Sequence, residues 1–202
     1  MPPSAVARAA LGFSPHVGWA AVVAISGPRD APRVVAKHRI DLATTFETGA
    51  VYHAAQALPI AEADALVRAS EQRFAAAARD GIAALAAELR GRGLDPVASA
   101  VLAGSARPLP PLASILRSHA LVHAAEGALY RSVLAGASEA CAIPAALVPA
   151  RELAPRVAAA SGFPEARLSS ALAEMGKASG RPWARDQKDA ALAAWLALCQ
   201  PR

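Results

Sequence analysis

Two groups of residues in this chain have the type and spacing for chemistry. The first is Asp186 and Asp189, in Trp183-Ala184-Arg185-Asp186-Gln187-Lys188-Asp189, just ahead of the apolar run Ala190 to Cys199. On a helix that spacing turns both carboxylates to one side. There they either favour the positive end of the helix dipole, worth roughly 0.3–1 kcal/mol each at an exposed start, or supply oxygen ligands to a hard divalent ion. Lys177, Arg181, Arg185 and Lys188 stand around them, cations that would neutralise them or grip phosphate. The second group is His119, His123, Glu126 and Tyr130, spaced i, i+4, i+7 and i+11. At about 100° per residue they fall within about 60° of one helix face.

Leu112, Ile115, Leu116, Val122 and Val133 fall on or beside the same arc, with Arg117, Ala124, Ala128 and Arg131 opposite, so the polar stripe is expected to face the protein. Buried imidazoles and carboxylates need partners, and His-x-x-x-His with a nearby carboxylate suits zinc, manganese or iron. The same stripe also reads as a structural polar cluster, or as an acid–base pair acting on a small molecule. His16, in a tight turn, is a further candidate. Tyr52 and His53 lie in a long connection and read as cleft-lining or as ordinary loop residues.

The elements that must position these groups follow from pattern. Ala9 to Ser14 and Trp19 to Ser26 are apolar, β-branched and aromatic runs around Pro15-His16-Val17-Gly18, and Arg33 to Leu42 follows the turn Gly27-Pro28-Arg29-Asp30. These are three strands of an antiparallel meander. Asp41 to Pro59 has no period and reads as a long connection. Leu66, Val67, Ser70, Phe74, Ala77, Ala78, Leu85 and Leu89 carry a helical period through Ala61 to Arg90. Val97 to Ala103 reads as a buried strand, Gly104 to Pro111 as a proline-rich loop, and Leu112 to Cys141 as a second long helix relaxed at Gly136. Ile143 to Val148 is a short strand, and Arg151 to Ala160, Leu168 to Lys177 and the stretch beyond Pro182 are helical. Hairpin strands followed by strand–helix alternation predict a mixed sheet flanked by helices.

Composition agrees with a core of this kind: 202 residues, 54% hydrophobic and 18% charged, are enough for one α/β domain over residues 1–202. A formal charge of +5 and a pI near 9.9 favour anionic partners. Cys141 and Cys199 form no Cys-x-x-Cys pair and read as reduced cytoplasmic thiols. The apolar run Val17 to Ile25 is too short to cross a bilayer and lacks a small-x-small cleavage site, so no membrane role is expected. Without a P-loop, GxGxxG, HExxH or GxSxG, the kinase, dinucleotide dehydrogenase, zincin and α/β-hydrolase classes lose their support.

Two stretches resemble the RuvC-like branch of the ribonuclease H-like superfamily. Leu11-Gly12-Phe13-Ser14-Pro15-His16-Val17-Gly18-Trp19-Ala20 resembles its first hairpin, in which a strand ends Gly-x-Asp-Pro-Gly and the next begins Gly-(Trp or Tyr). Asp186 and Asp189 followed by Ala190-Ala191-Leu192 resemble the Asp-x-x-Asp-Ala-(Ala)-Leu start of its final helix. The resemblance implies a ribonuclease H-like domain in which four acids hold two metal ions for phosphodiester cleavage. Asp186 and Asp189 map to the final-helix pair, Ser14 stands in the place of the first-strand aspartate, and Ser99-Ala100-Val101-Leu102-Ala103 has no acid.

The expectation is therefore a RuvC-like protein with a degenerate nuclease site that binds nucleic acid or a phosphorylated ligand. Asp186 and Asp189 would hold magnesium, manganese or zinc, with His16, His119, His123 or Glu126 completing the shell. Asp186, Asp189, His119 and Glu126 are the catalytic candidates. The alternatives are a non-enzymatic scaffold and a small-molecule enzyme using the His119/His123/Glu126 stripe.

Overall fold

The computed structural model describes residues 6–104 and 108–200. They form a five-stranded mixed sheet in the order β3-β2-β1-β4-β5, built from β1 (Ala7–His16), β2 (Trp19–Ser26), β3 (Arg33–Asp41), β4 (Leu94–Ala103) and β5 (Ala145–Pro149). The first three strands pair antiparallel, while β1–β4 and β4–β5 are parallel. Gly18 (φ 80°) and Gly27 (φ 116°) take the left-handed backbone that the two hairpin turns require. The parallel returns are made by the helices α3 (Ile60–Gly91) and α5 (His119–Ala140).

Strand alternation sorts side chains onto two faces. Leu11, Phe13, Val22 and Ala24 meet Phe74, Ala78 and Ile82 of α3 and Leu129, Tyr130 and Val133 of α5. Ala10, Val23, Ile25 and Ala100 meet α8 (Arg185–Cys199), with α6 (Leu153–Ser161) and α7 (Leu168–Ser179) packed beside it. Both faces are covered, which explains the near-continuous apolar runs of β1 and β2.

Gly12 sets the height of α8 on the sheet. A Cβ there would fall 1.9 Å from the Ala190 carbonyl oxygen and 2.4 Å from the Ala194 nitrogen, so only a bare Cα admits the helix backbone. The alanines of α8 make that approach possible from the other side, and Trp195, fully buried, donates its indole N–H to the Arg29 carbonyl at 2.7 Å.

Three expectations about elements are corrected. The connection after β3 contains two short helices, α1 (Phe46–Gly49) and α2 (Val51–Ala55). α1 starts with a reciprocal cap in which Thr45 Oγ1 accepts from the Thr48 N–H at 3.3 Å and Thr48 Oγ1 accepts from the Thr45 N–H at 3.0 Å. Helices of one turn are too short to leave a period. The second long helix is broken: α4 (Leu112–Ile115) ends, and α5 restarts at Ser118, whose side chain caps the Leu121 N–H at 3.4 Å. Gly136, in contrast, sits inside regular helix. β4 begins at Leu94, before Pro96, because the β1–β4 register shifts between Ala9 and Ala10 and the bulge absorbs the proline. Of the proline-rich loop, 105–107 lie outside the described residues.

Candidate functional site

Ala10 and Gly12 face α8, so Ser14 and His16, at the same alternation on β1, point to that side too. Ser14 is buried, and His16 Nε2 lies 3.0 Å from Asp186 Oδ1, with the two side chains 38% and 30% exposed. That spacing is an ion-pair distance without hydrogen-bond alignment, so Nε2 is buried with no aligned partner. The imidazole is stacked on Trp19, centroids 4.2 Å apart and planes 8° from parallel, and the Arg39 guanidinium carbon lies over the Trp19 ring, 4.2 Å from its centroid.

The start of α8 is firmly set. Gln187 Oε1 accepts from the Ala184 N–H at 2.9 Å, and Trp183, pressed on Gly176, donates to the Leu172 carbonyl at 2.9 Å. Lys37 of β3 donates to the carbonyls of Gly180 and Pro182. One turn along, Asp189 is half-buried, and burial raises its pKa above the usual carboxylate value. Arg185, 3.5 Å away, opposes that rise and the neighbouring Asp186 charge adds to it. Lys177, Arg181, Trp183 and Lys188 line a groove of about 660 Å³ beside this helix start. Among the described residues neither Arg181 nor Lys188 has a carboxylate partner.

The residues that face α8 from β4 are Ala98, Ala100 and Leu102. Gly12 is paired with Ala100 and Phe13 with Val101, so the β4 position level with Ser14 is apolar. Ser99 points the other way, to Ser138 of α5 at 2.8 Å.

The polar stripe lies on the opposite face of the sheet and divides within itself. Glu126 and Tyr130 are buried, each 1% exposed, whereas His119 and His123 are exposed at the surface. The expectation that all four face the interior is corrected: α5 reaches past the edge of the core at its first turn, so the same helical face is covered lower down and open at the top. Tyr130 donates to the Gly49 carbonyl at 2.7 Å. Its pKa is pushed up to about 12 by burial and by the Glu126 charge, with a Gly18 backbone hydrogen bond opposing.

Glu126 Oε1 accepts from the backbone N–H of Tyr52 at 3.1 Å and of His53 at 3.3 Å, and stands 3.0 Å from His53 Nδ1. Glu126 Oε2 is buried without a partner. His53, His119 and His123 each present one ring nitrogen, and these atoms lie within 4.8 Å of one another. The carboxylate thus stands behind the cluster, and its expected place beside His119 and His123 is taken by His53.

No protein-family model and no curated protein matches the sequence. Solved structures do. RuvC of Thermus thermophilus in complex with a Holliday junction substrate is similar at a TM-score of 0.55 and 12% identity, over 94% of this chain and 91% of that one. A second Thermus thermophilus RuvC structure gives 0.53 and 12%, over 93% and 92%.

The fold is RuvC-like and ribonuclease H-like.

At 12% identity the likeness is one of fold. Within this RuvC-like fold, His16 and Asp186 come together at the β1–α8 junction, with Ser14 two residues before His16 on β1 and Asp189 one turn beyond Asp186 on α8. His119, His123 and Glu126 do not join them, because α5 and α8 cover opposite faces of the sheet. His53 is the residue that sequence reasoning undervalued. The signal it left was only a histidine beside a tyrosine in a stretch too short to show helical period.

Proposed function

We propose that this chain is a cytoplasmic RuvC-like nucleic-acid-binding protein, one domain long, whose phosphodiester site has been rebuilt around His16, Asp186 and Asp189. The observation that carries the reading is the 3.0 Å approach of His16 to Asp186 across the end of β1, where Ser14 stands in the family's aspartate position. The donor set fits one hard divalent ion, magnesium or manganese, which takes one or two carboxylates and fills its remaining positions with water and phosphate oxygens. It does not fit two. Ser14 brings no charge and the level β4 position is apolar, so the bridging carboxylates a second ion needs are missing.

One ion held by Asp186 and Asp189 would supply positive charge to a phosphate. The chain's own residues supply the rest. His16, held flat against Trp19, keeps its buried Nε2 beside Asp186, where it orients that carboxylate or holds a proton for it. Arg181 and Lys188 offer cations along the groove, and Arg39, over Trp19, adds a further guanidinium.

The test is binding and cleavage of four-way-junction and single-stranded DNA with magnesium or manganese. Binding that weakens steeply with salt, drops about tenfold or more in Arg181→Ala/Lys188→Ala, and persists in Asp186→Asn is expected. Metal-dependent cleavage should vanish in Asp186→Asn and Asp189→Asn. No binding at low salt, or cleavage that survives both asparagine variants, would overturn the reading. The apolar β4 position favours a second reading in which the fold binds DNA without cutting it; junction binding with no cleavage under any metal is its signature.

A further inference from the structure

We infer that His53, His119 and His123 form a binding site for a zinc-class divalent metal, with Glu126 orienting His53 from behind. This goes beyond the DNA reading and does not depend on it, since the site is on the opposite face of the sheet from Asp186. His119 and His123 occupy successive turns at the start of α5, and their Nε2 atoms lie 3.0 Å apart. Two imidazole nitrogens bound tetrahedrally to zinc at about 2.0–2.1 Å lie about 3.3 Å apart, so this pair is already at ligand spacing. In neutral imidazoles those two atoms share at most one proton, whereas a cation between them satisfies both lone pairs.

The third ring is His53, with centroids 4.7 Å from His123 and 5.7 Å from His119. Its tautomer follows from its surroundings: Nδ1 donates to Glu126 Oε1, which leaves Nε2 with a free lone pair. A histidine whose far nitrogen donates to a buried carboxylate is the arrangement that raises ligand basicity and locks ring orientation in metal sites. Glu126 gives the second, independent indication. It is 1% exposed, it carries Oε2 with no partner, and no Lys or Arg among the described residues forms an ion pair with it. A carboxylate buried with one oxygen unpartnered and no Lys or Arg paired with it is expensive, and a doubly charged ion one imidazole away offsets that cost.

The donor chemistry selects the metal. Three nitrogens and no carboxylate in contact suit zinc or cobalt, and reject magnesium and calcium, which demand oxygen. His119 and His123 are exposed, so the remaining coordination position opens to solvent, the form in which a zinc ion holds water or an anionic group.

The experiment uses the full chain without a histidine tag, stripped by chelator and titrated with zinc chloride by calorimetry and with cobalt chloride by visible absorption. One zinc per chain, tetrahedral cobalt bands and no response to magnesium are expected. His119→Ala and His123→Ala, both surface substitutions that leave the fold intact, should each weaken zinc binding about a hundredfold. Glu126→Gln should weaken it about ten- to a hundredfold, with circular dichroism checking that it folds; the two histidine variants decide the matter if it does not. The proposal falls if zinc gives no saturable binding, if His119→Ala binds zinc as the parent does, or if Asp186→Asn abolishes the binding, which would put the ion at α8.

Discussion

Replacing Gly12 by alanine probes the contact on which the α8 carboxylates depend. The new Cβ would stand 1.9 Å from the Ala190 oxygen and 2.4 Å from the Ala194 nitrogen, where real Cβ contacts essentially never fall below 3.0 Å. Both obstacles are helix backbone, so no rotamer relieves them, and α8 must lift by roughly 1 Å. A radial gap of that size forfeits about a quarter to a half of the dispersion attraction across it. Overpacking of this kind costs about 1–3 kcal/mol, and because α8 moves as a unit the upper end, about 3 kcal/mol, is expected. For a chain of this length that is a drop in Tm of about 6–12 °C. Gly136 is the control: it lies in regular α5 with nothing within 4 Å of its added Cβ, so Gly136→Ala should stabilise by about 0.5–1 kcal/mol. Urea unfolding followed by circular dichroism and tryptophan fluorescence reads both. If Gly12→Ala falls within about 0.5 kcal/mol of the parent, α8 does not ride at this height, and the placement of Asp186 against His16 fails with it.

Asp189→Asn should match or slightly exceed the parent in stability at pH 7. Burial raises the Asp189 pKa, so its favourable contribution is full below the ordinary carboxylate range and is lost as pH rises through the raised value; the variant's advantage should shrink at pH 3, and a variant less stable at pH 7 would contradict this. Tyr130→Phe should cost about 1–2 kcal/mol, since the Gly49 carbonyl loses its donor in a buried setting. In the parent, ultraviolet titration should show a phenol ionising near pH 12 that the variant lacks, with stability falling as pH climbs from about 10 toward it.

The parts of the fold legible in the sequence were those written in local pattern. The two glycine turns, the runs of β1 and β2, the long period of α3 and the Asp186/Asp189 start of α8 all announce themselves within a window of ten or twenty residues. What stayed hidden depends on distant partners. Nothing local to Gly12 tells that the backbone of α8 rests on it. The break before α5 rests on a single serine cap that a continuous apolar period masks. His53 looks like a loop residue because α2 is a single turn, and its meaning comes from Glu126, 73 positions away. Spacing put Glu126 beside His119 and His123 correctly on one helical face; spacing alone could not say that the protein surface would cut across that face between them.

The same long-range logic ties the two polar centres together through backbone. Gly18, two residues after His16, accepts hydrogen bonds from Leu42 at 2.8 Å and Ala43 at 3.0 Å, which anchors the β1–β2 turn to the chain leaving β3. A Cβ on Gly49 would come within 3.1 Å of both the Gly18 Cα and the Tyr130 hydroxyl oxygen, so the end of α1 is pressed directly on that turn. Tyr130 then holds Gly49 from α5, 81 positions away, and Glu126, one turn back on α5, holds the first residues of α2 by their N–H groups. The turn after His16 and the helix carrying His53 are therefore both tied to α5, the first by the packing of Gly18 on Gly49 and the Tyr130 hydrogen bond to Gly49, the second by Glu126. The cost of burying Glu126 and Tyr130 is offset by these hydrogen bonds, which hold a one-turn helix carrying His53 on one side and, through Gly49, the turn that follows His16 on the other.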